Sequence, residues 1–331
     1  MVKAKKFIYA KAFKGEPTLD NFKLVEEDDL PELKDGEILI EAIHLSVDPY
    51  MRPYMLAFPI GSLMIGGQVS KVIESKNGKF PVGSIVFAQA GWRTHTILNP
   101  AIQKINELTL LPDFRSVPYS SAIGACGMPG NTAYFGFLEI CHPKEGETVV
   151  VTGAAGAVGS LVGQIAKIKG CKVIGFAGSD EKCRWLETEL GFDKAINYKS
   201  ENIEDQLKKA APKGVDCYFD NVGGELSSVI IQQMNLFGRI SVCGAISGYN
   251  DQKITVPAPQ KYFVWNQLKM EGFIVHRWTD RWMEGITQML KWIQEGKIKY
   301  EETVTKGFEN MPKAFIDMLN GKNTGKAVVN V

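Results

Sequence analysis

The stretch Val149-Val150-Val151-Thr152-Gly153-Ala154-Ala155-Gly156-Ala157-Val158-Gly159 decides the fold. It opens on β-branched residues that favour a strand, turns through glycine, and runs into text with helical spacing. Val158, Leu161, Val162, Ile165 and Ala166 fall on one helical face, and Gly170 stands where that helix can stop. Strand, glycine turn and helix in that order form a dinucleotide fingerprint, here A-x-G-x-x-G with Ala154 at the first glycine position. Gly156 lets backbone approach a pyrophosphate and Gly159 lets helix pack closely on strand. The free N–H groups of the helix end then attract the phosphates.

Working downstream, the rhythm of strand and helix repeats. Residues 171–177 read as strand, 180–190 as helix stopped by Gly191, 194–197 as strand and 203–211 as helix. Then come strand over 214–220, helix over 225–236 and strand over 239–244. This alternation predicts an α/β fold with a doubly wound parallel sheet covered by helices on both faces. A further strand is predicted over 270–275, and Trp282, Ile286, Met289, Leu290 and Ile293 form a helical stripe, read as core. Upstream, 37–42, 67–73 and 84–88 read as short strands between turn signals such as Asp35-Gly36 and Asn77-Gly78. The text turns β-like again near the carboxyl end. The predicted organisation is a discontinuous β-rich domain, 1–121 with 300–331, around a nucleotide-binding domain, 122–299.

The end of the second strand bears on which nucleotide fits. NAD readers place an acid there, about 20 residues beyond the glycine loop, on the ribose 2′-hydroxyl. Here Lys172-Val173-Ile174-Gly175-Phe176-Ala177 runs into Gly178-Ser179 with no acid, leaving room for a 2′-phosphate. Lys182 follows in the first turn of the next helix, where its ammonium can pair with that phosphate. The expected cofactor is NADPH/NADP+. Asp180 and Glu181 are accounted for as favourable charge at a helix N-terminus.

A chain of 331 residues is long for one core, so two domains are expected. With 45% hydrophobic and 23% charged residues and a net charge of +1, nothing favours nucleic acid or an anionic membrane as partner. The basic start Met1-Val2-Lys3-Ala4-Lys5-Lys6 is not followed by an apolar run of signal-peptide length, which points to a cytoplasmic protein. Cys126, Cys141, Cys171, Cys183, Cys217 and Cys243 include no C-x-x-C pair. They read as small buried hydrophobes in a reducing compartment. The histidines are scattered without ligand spacing, and no metal site is expected.

Beyond these readings, the chain resembles the medium-chain dehydrogenase/reductase superfamily, in which a GroES-like β domain is split around a Rossmann domain. Zinc-dependent members carry an early metal-binding cysteine and a Gly-His-Glu tripeptide. The matching stretches here, Leu45-Ser46-Val47-Asp48 and Gly66-Gly67-Gln68, lack all three ligand-bearing residues, so the resemblance implies no catalytic zinc. Val47-Asp48-Pro49-Tyr50-Met51-Arg52, Gly127-Met128-Pro129-Gly130-Asn131-Thr132-Ala133-Tyr134 and Tyr218-Phe219-Asp220-Asn221-Val222-Gly223-Gly224 narrow it further. Together with Cys243-Gly244-Ala245-Ile246-Ser247-Gly248-Tyr249-Asn250 and Gly307-Phe308-Glu309-Asn310-Met311-Pro312, they are similar to the leukotriene B4 12-hydroxydehydrogenase/prostaglandin reductase family. That resemblance implies NADPH-dependent reduction of the C=C bond of α,β-unsaturated ketones and aldehydes, among them 15-oxo-prostaglandins and lipid-derived 2-alkenals. It also implies NADP+-dependent oxidation of the leukotriene B4 12-hydroxyl, and a homodimer.

The resemblance further implies a set of contacts. Gly156, Ala157, Val158 and Gly159 would meet the pyrophosphate, Lys182 the 2′-phosphate, and Tyr198 the adenosine end. Asn221, Cys243, Gly244, Ala245, Ile246, Ser247, Gly248, Tyr249, Phe273, Ile274, Val275 and Asn323 would complete the cradle. Where the family carries a tyrosine near the substrate, this chain has Trp265, which can stack but cannot donate a phenolic proton. Without a metal, charge arriving on a carbonyl oxygen must be met by a hydroxyl or an amide. The nicotinamide ribose 2′-hydroxyl and a tyrosine are the options; Tyr50 and Tyr249 are the candidates, each as proton donor or pocket wall, with Trp265 as a third substrate-facing residue. A quinone reductase of the same superfamily and a non-catalytic NADPH-binding protein are the alternatives.

Overall fold

Val149 and Val151 point to one side of their strand and Val150 to the other, and all three are fully buried, because apolar layers cover both faces of the sheet they sit in. The computed structural model describes every residue except 1, 2, 28, 29, 201 and 251–254, so the first two residues of the basic start lie outside the described residues. The chain divides into two units, Ala125–Glu301 and Met1–Gly124 with Glu302–Val331.

In the first of these, strands and helices alternate as β1 (Thr148–Val151), α1 (Gly159–Ile168), β2 (Lys172–Ala177), α2 (Asp180–Thr188), β3 (Lys194–Asn197) and α3 (Ile203–Ala210). They continue as β4 (Val215–Asp220), α4 (Gly224–Ile231), β5 (Met234–Val242), α5 (Gln260–Asn266) and β6 (Lys269–Gly272). The sheet is parallel throughout with order β3-β2-β1-β4-β5-β6, the doubly wound order of a Rossmann fold. The order reverses between β1 and β4. On one face, Leu161, Val162, Ile165 and Ala166 of α1 pack against Val149, Val151, Val173, Cys217 and Phe219, joined by Phe137 and Met289 from the helices Met128–Cys141 and Trp282–Gln294. On the other, Leu207, Ile230 and Ile231 cover Val150, Ile174, Phe176, Tyr218 and Ile240. Each such side chain contributes about 1.5–3 kcal/mol by burial, the bulk of what holds the layers together.

Two readings need correcting here. The helix expected over 225–236 ends at Ile231, and β5 begins at Met234. Pairing with β4 jumps from Val215 opposite Met234 to Cys217 opposite Arg239, and the surplus residues include Phe237 at φ 62°, with Leu236 and Phe237 exposed. An interruption of this kind breaks helical and strand periods alike. The strand expected over 270–275 stops at Gly272, and Val275 opens a 3-10 turn, Val275–Arg281.

The second unit is built on a seven-stranded sheet whose longest strand is Ile38–Ser46. The carboxyl-terminal strand Lys326–Asn330 pairs antiparallel with it, Val328 opposite Ser46 and Val329 opposite Leu45, so segments far apart in sequence share one sheet. Phe7, Tyr9, Phe22, Trp92 and Phe315 form the aromatic centre of its core. Among the described residues no helix is long and apolar enough to cross a membrane.

Candidate active site

Thr152 leaves β1 fully buried, and the chain turns at Gly153, whose φ of 59° suits glycine. The Ala154 N–H donates to the Phe176 carbonyl at 2.9 Å and the Gly156 N–H to the Gly153 carbonyl at 3.0 Å, closing the turn. The left-handed position thus falls one residue before Ala154, which is why alanine is tolerated there. Gly159 admits no such freedom: a Cβ on it would stand 2.4 Å from the Gly153 oxygen and 2.8 Å from Ala154 Cα. Only glycine lets α1 settle on β1 with Ala157 and Val158 at its mouth, so the residues present fit a dinucleotide pyrophosphate.

At the end of β2 the groups are different. Ser179 caps α2, its hydroxyl accepting the Lys182 N–H at 3.3 Å. Tyr198 donates its N–H to the Ala177 carbonyl at 3.1 Å, and its hydroxyl lies so near Gly178 that a Cβ there would stand 2.8 Å from it. Burial, and then the charge of Lys199, hold the half-buried Lys182 ammonium below its ordinary pKa range. Lys199 escaped the sequence reading. Its N–H donates to Asn197 Oδ1 at 3.1 Å while Asn197 Nδ2 donates to Asp180 Oδ1 at 2.8 Å, which pins this turn beside the start of α2. Asp180 therefore does more than face the helix end. Two repelling ammonium groups beside a strand end without an acid suit an anion.

Where the strand order reverses, three segments meet. Asn221 donates its N–H to Thr152 Oγ1 at 3.0 Å and its Nδ2 to the Thr152 carbonyl at 2.7 Å. The Cys243 and Gly244 N–H groups reach the Asp220 carbonyl at 2.8 and 3.1 Å, and those of Ile246 and Ser247 reach the carbonyls of Asn221 and Val222 at 3.2 and 3.1 Å. Ala245 stands over Gly223, and the Tyr249 hydroxyl would be 2.9 Å from a Cβ on Gly244, with Gly248 between. Asn221 and residues 243–249 are thus brought together. The Cys243 thiol is pushed up to about 12 by burial and then by the Asp220 charge, so it lines the site as an unreactive wall.

The remaining candidates lie on other segments. The Phe273 ring fills the space over Gly136 and packs edge-on to Phe219 and Trp278, Val275 is buried, and Ile274 is exposed. Trp265 is 74% exposed on α5, with the Lys261 ammonium 5.8 Å from its ring. Tyr50 and Asn323 belong to the other unit. There the Tyr50 phenol is raised well above its ordinary pKa by burial, then by Asp48 and Tyr54, which keeps it protonated. Asn323 Nδ2 donates to the Gly325 carbonyl at 2.8 Å. Gln68 is fully buried, its Nε2 donating to the Gly91 carbonyl at 3.0 Å and its Oε1 accepting the Ser70 hydroxyl at 2.7 Å. Among the described residues no cluster of three or more His, Cys, Asp or Glu could hold a metal ion.

Comparison with known proteins agrees with this geometry. Residues 5–105 match the family described as the N-terminal domain of oxidoreductase, and 157–295 the family described as zinc-binding dehydrogenase. Prostaglandin reductase 1 of Bos taurus is 54% identical, with 99% of each chain covered. The 2-alkenal reductase (NADP(+)-dependent) of Nicotiana tabacum is 40% identical over 89% of this chain and 88% of that protein. The crystal structure of CurA in complex with NADPH from Vibrio vulnificus superposes with a TM-score of 0.91 at 40% identity, covering 99% of both chains. Likeness of this extent, over both units at once, means that the chain belongs to the prostaglandin reductase family of the medium-chain dehydrogenase/reductase superfamily.

Proposed function

We propose that the protein reduces the carbon–carbon double bond of α,β-unsaturated ketones and aldehydes with NADPH. The observation that carries this reading is the end of β2, where Ala177 and Gly178 present no carboxylate and Lys182 and Lys199 present two cations. Relatives named for prostaglandin and 2-alkenal reduction support the substrate class, and the CurA complex supports the nucleotide.

Bound NADPH would supply a hydride for the β carbon of the substrate, and the α carbon would then take a proton from a tyrosine or from water. In this reading residues 122–299 hold the nucleotide. Gly156 would let the backbone approach the pyrophosphate, Ala157, Val158 and Gly159 would offer it backbone N–H groups, Lys182 would pair with the 2′-phosphate, and Tyr198 would flank the adenosine. Asn221, residues 243–249, and the backbone of Phe273, Ile274 and Val275 complete the cradle. Residues 1–121 with 300–331 supply the substrate side. Charge arriving on the carbonyl oxygen would be met by a hydroxyl donor, for which Tyr50 and Tyr249 are the candidates, each as donor or pocket wall, with Trp265 as a further substrate-facing candidate. In this reading no metal takes part, since Leu45-Ser46-Val47-Asp48 and Gly66-Gly67-Gln68 carry no cysteine, histidine or glutamate.

Steady-state NADPH oxidation with 15-oxo-prostaglandin E2 and 2-nonenal, set beside an ortho-quinone, tests the reading. Turnover of the enone and the enal, unchanged by a chelator, is the expected result; turnover of the quinone alone would replace it with a quinone reductase.

The reading extends to assembly and place. β6 is the edge of its sheet, and exposed Met270, Leu236, Phe237 and Trp265 lie on it or on the adjoining β5 and α5. An open edge with apolar neighbours supports a homodimer, which a monomeric mass by light scattering would refute. Six free cysteines, five of them buried, support a cytoplasmic location, to be checked by cell fractionation.

A further inference from the structure

One buried carboxylate ties together the segments of the cradle. Asp220 ends β4 and is 3% exposed. Its Oδ1 accepts the Thr152 hydroxyl at 3.1 Å and the N–H groups of Val222 and Gly223 at 2.9 and 2.8 Å. Oδ2 accepts the Ser227 hydroxyl of α4 at 2.8 Å. A carboxylate is costly to bury unless donors surround it, and here neutral donors from three directions do. Thr152 relays the connection, since its Oγ1 accepts the Asn221 N–H at 3.0 Å and its carbonyl accepts Asn221 Nδ2 at 2.7 Å. Beyond the turn, Ser247 grips the Val222 carbonyl through its N–H at 3.1 Å and its hydroxyl at 2.6 Å. The entry to the glycine loop, the 221–223 turn and the start of α4 are therefore tied to one side chain, and the 243–247 segment follows through the backbone carbonyls of Asp220, Asn221 and Val222.

We propose that Asp220 is a positioning residue of the nucleotide site. It sets the 221–223 turn against the glycine loop, so that Asn221 and the 243–247 segment meet the nucleotide in register. This rests on the NADPH reading above. Asn221 would make the contact; Asp220 acts through it.

Asp220→Asn keeps the shape, an acceptor oxygen for Thr152, Val222 and Gly223, and an amide N–H2 that the Ser227 hydroxyl can accept, but it removes the charge that strengthens the bonds to the turn. Reducing the charge-assisted bonds to the turn to neutral ones should raise the Kd for NADP+ and the KM for NADPH by roughly tenfold. Because the nucleotide is held equally in ground and transition state, kcat at saturating NADPH should stay within about twofold. Thr152→Val removes the relay hydroxyl and keeps the carboxylate. It should reproduce the affinity loss, and it carries the test should Asp220→Asn not fold. Ser227→Ala removes the donor on α4, away from the turn; it should lower Tm comparably and leave Kd within about twofold. Three results overturn the inference: wild-type affinity in Asp220→Asn; wild-type affinity in Thr152→Val where Asp220→Asn does not fold; or affinity falling in step with Tm across all three variants, which marks a merely structural role. Wild-type protein that binds no NADP+ would overturn the cofactor reading itself, an outcome distinct from a wild type that binds and a variant that is unaffected.

Discussion

The carboxyl ends of β2 and β4 belong to one sheet and meet their surroundings in opposite ways. Past β2, Gly178, Tyr198, Lys182 and Lys199 are half-buried or exposed, and what they offer is charge. Past β4, Asp220, Thr152 and Ser227 are buried, and what they offer is a hydrogen-bonded frame with no net cation. The first kind of recognition can be removed without disturbing the fold, and salt and pH weaken it. The second is continuous with the core, so its loss spreads.

The largest effect is expected where frame and loop touch. Gly159→Ala forces a methyl to 2.4 Å from the Gly153 oxygen, with backbone on both sides of the clash. Neither chain can yield without moving α1 or the turn. The variant should lose measurable binding of NADPH and NADH alike, and lose stability by about 1–3 kcal/mol as for an overpacked core. Wild-type binding by calorimetry would mean that α1 can lift, and the contrast between the two ends would weaken.

Lys182→Ala tests the charged end alone. One charge-assisted hydrogen bond contributes roughly 1.5–3 kcal/mol, so the KM for NADPH should rise on the order of tenfold to a hundredfold. The KM for NADH should stay nearly unchanged, and kcat should move little with either, since the phosphate is remote from the hydride. Equal losses with both nucleotides would assign Lys182 to the fold.

What could be read from the sequence follows the same division. β1, α1 and β2 were legible because glycine and β-branched residues carry their own short-range geometry. Residues 235–238 were not, since Leu236 and Phe237 are exposed where a register shift, set by the pairing of β4 with β5, interrupts the strand. The helix Met311–Leu319 lies in text that reads as β-like, although Pro312 in its first turn and Met311, Ala314, Phe315 and Met318 on one face are helical signals. Within the site, Lys182 could be read from its place after a strand end. Asp220 could not, because a buried carboxylate's donors come from segments that only the fold brings together.

A smaller effect should appear on titration. Lys182 is already held below the ordinary lysine value of 10.5 by burial and by Lys199. A cation with a lowered pKa is fully charged below that pKa and is lost as pH rises through it. The kcat/KM for NADPH should therefore begin to fall at a pH below 10.5, while that for NADH stays flat in the same buffers. Parallel profiles for the two nucleotides would place the titrating group in the chemistry rather than at the phosphate.

The smallest change is expected from Lys199→Gln, where two consequences oppose each other. Removing this cation takes away part of the field that attracts the phosphate, and Lys199 is exposed, so the direct loss is screened to about 0.2–1 kcal/mol. Removing it also relieves the repulsion that lowers the Lys182 pKa, so the remaining ammonium keeps its proton to higher pH. At neutral pH, where Lys182 is charged in either case, only the first consequence counts, and the KM for NADPH should rise by about 1.4-fold to fivefold. At alkaline pH the second offsets it, so the fall in kcat/KM should move to higher pH than in the wild type. A profile that weakens at neutral pH and does not shift would leave Lys199 near the phosphate but uncoupled from Lys182. No change at either pH would return it to the ordinary surface, and recognition at the end of β2 would rest on Lys182 alone.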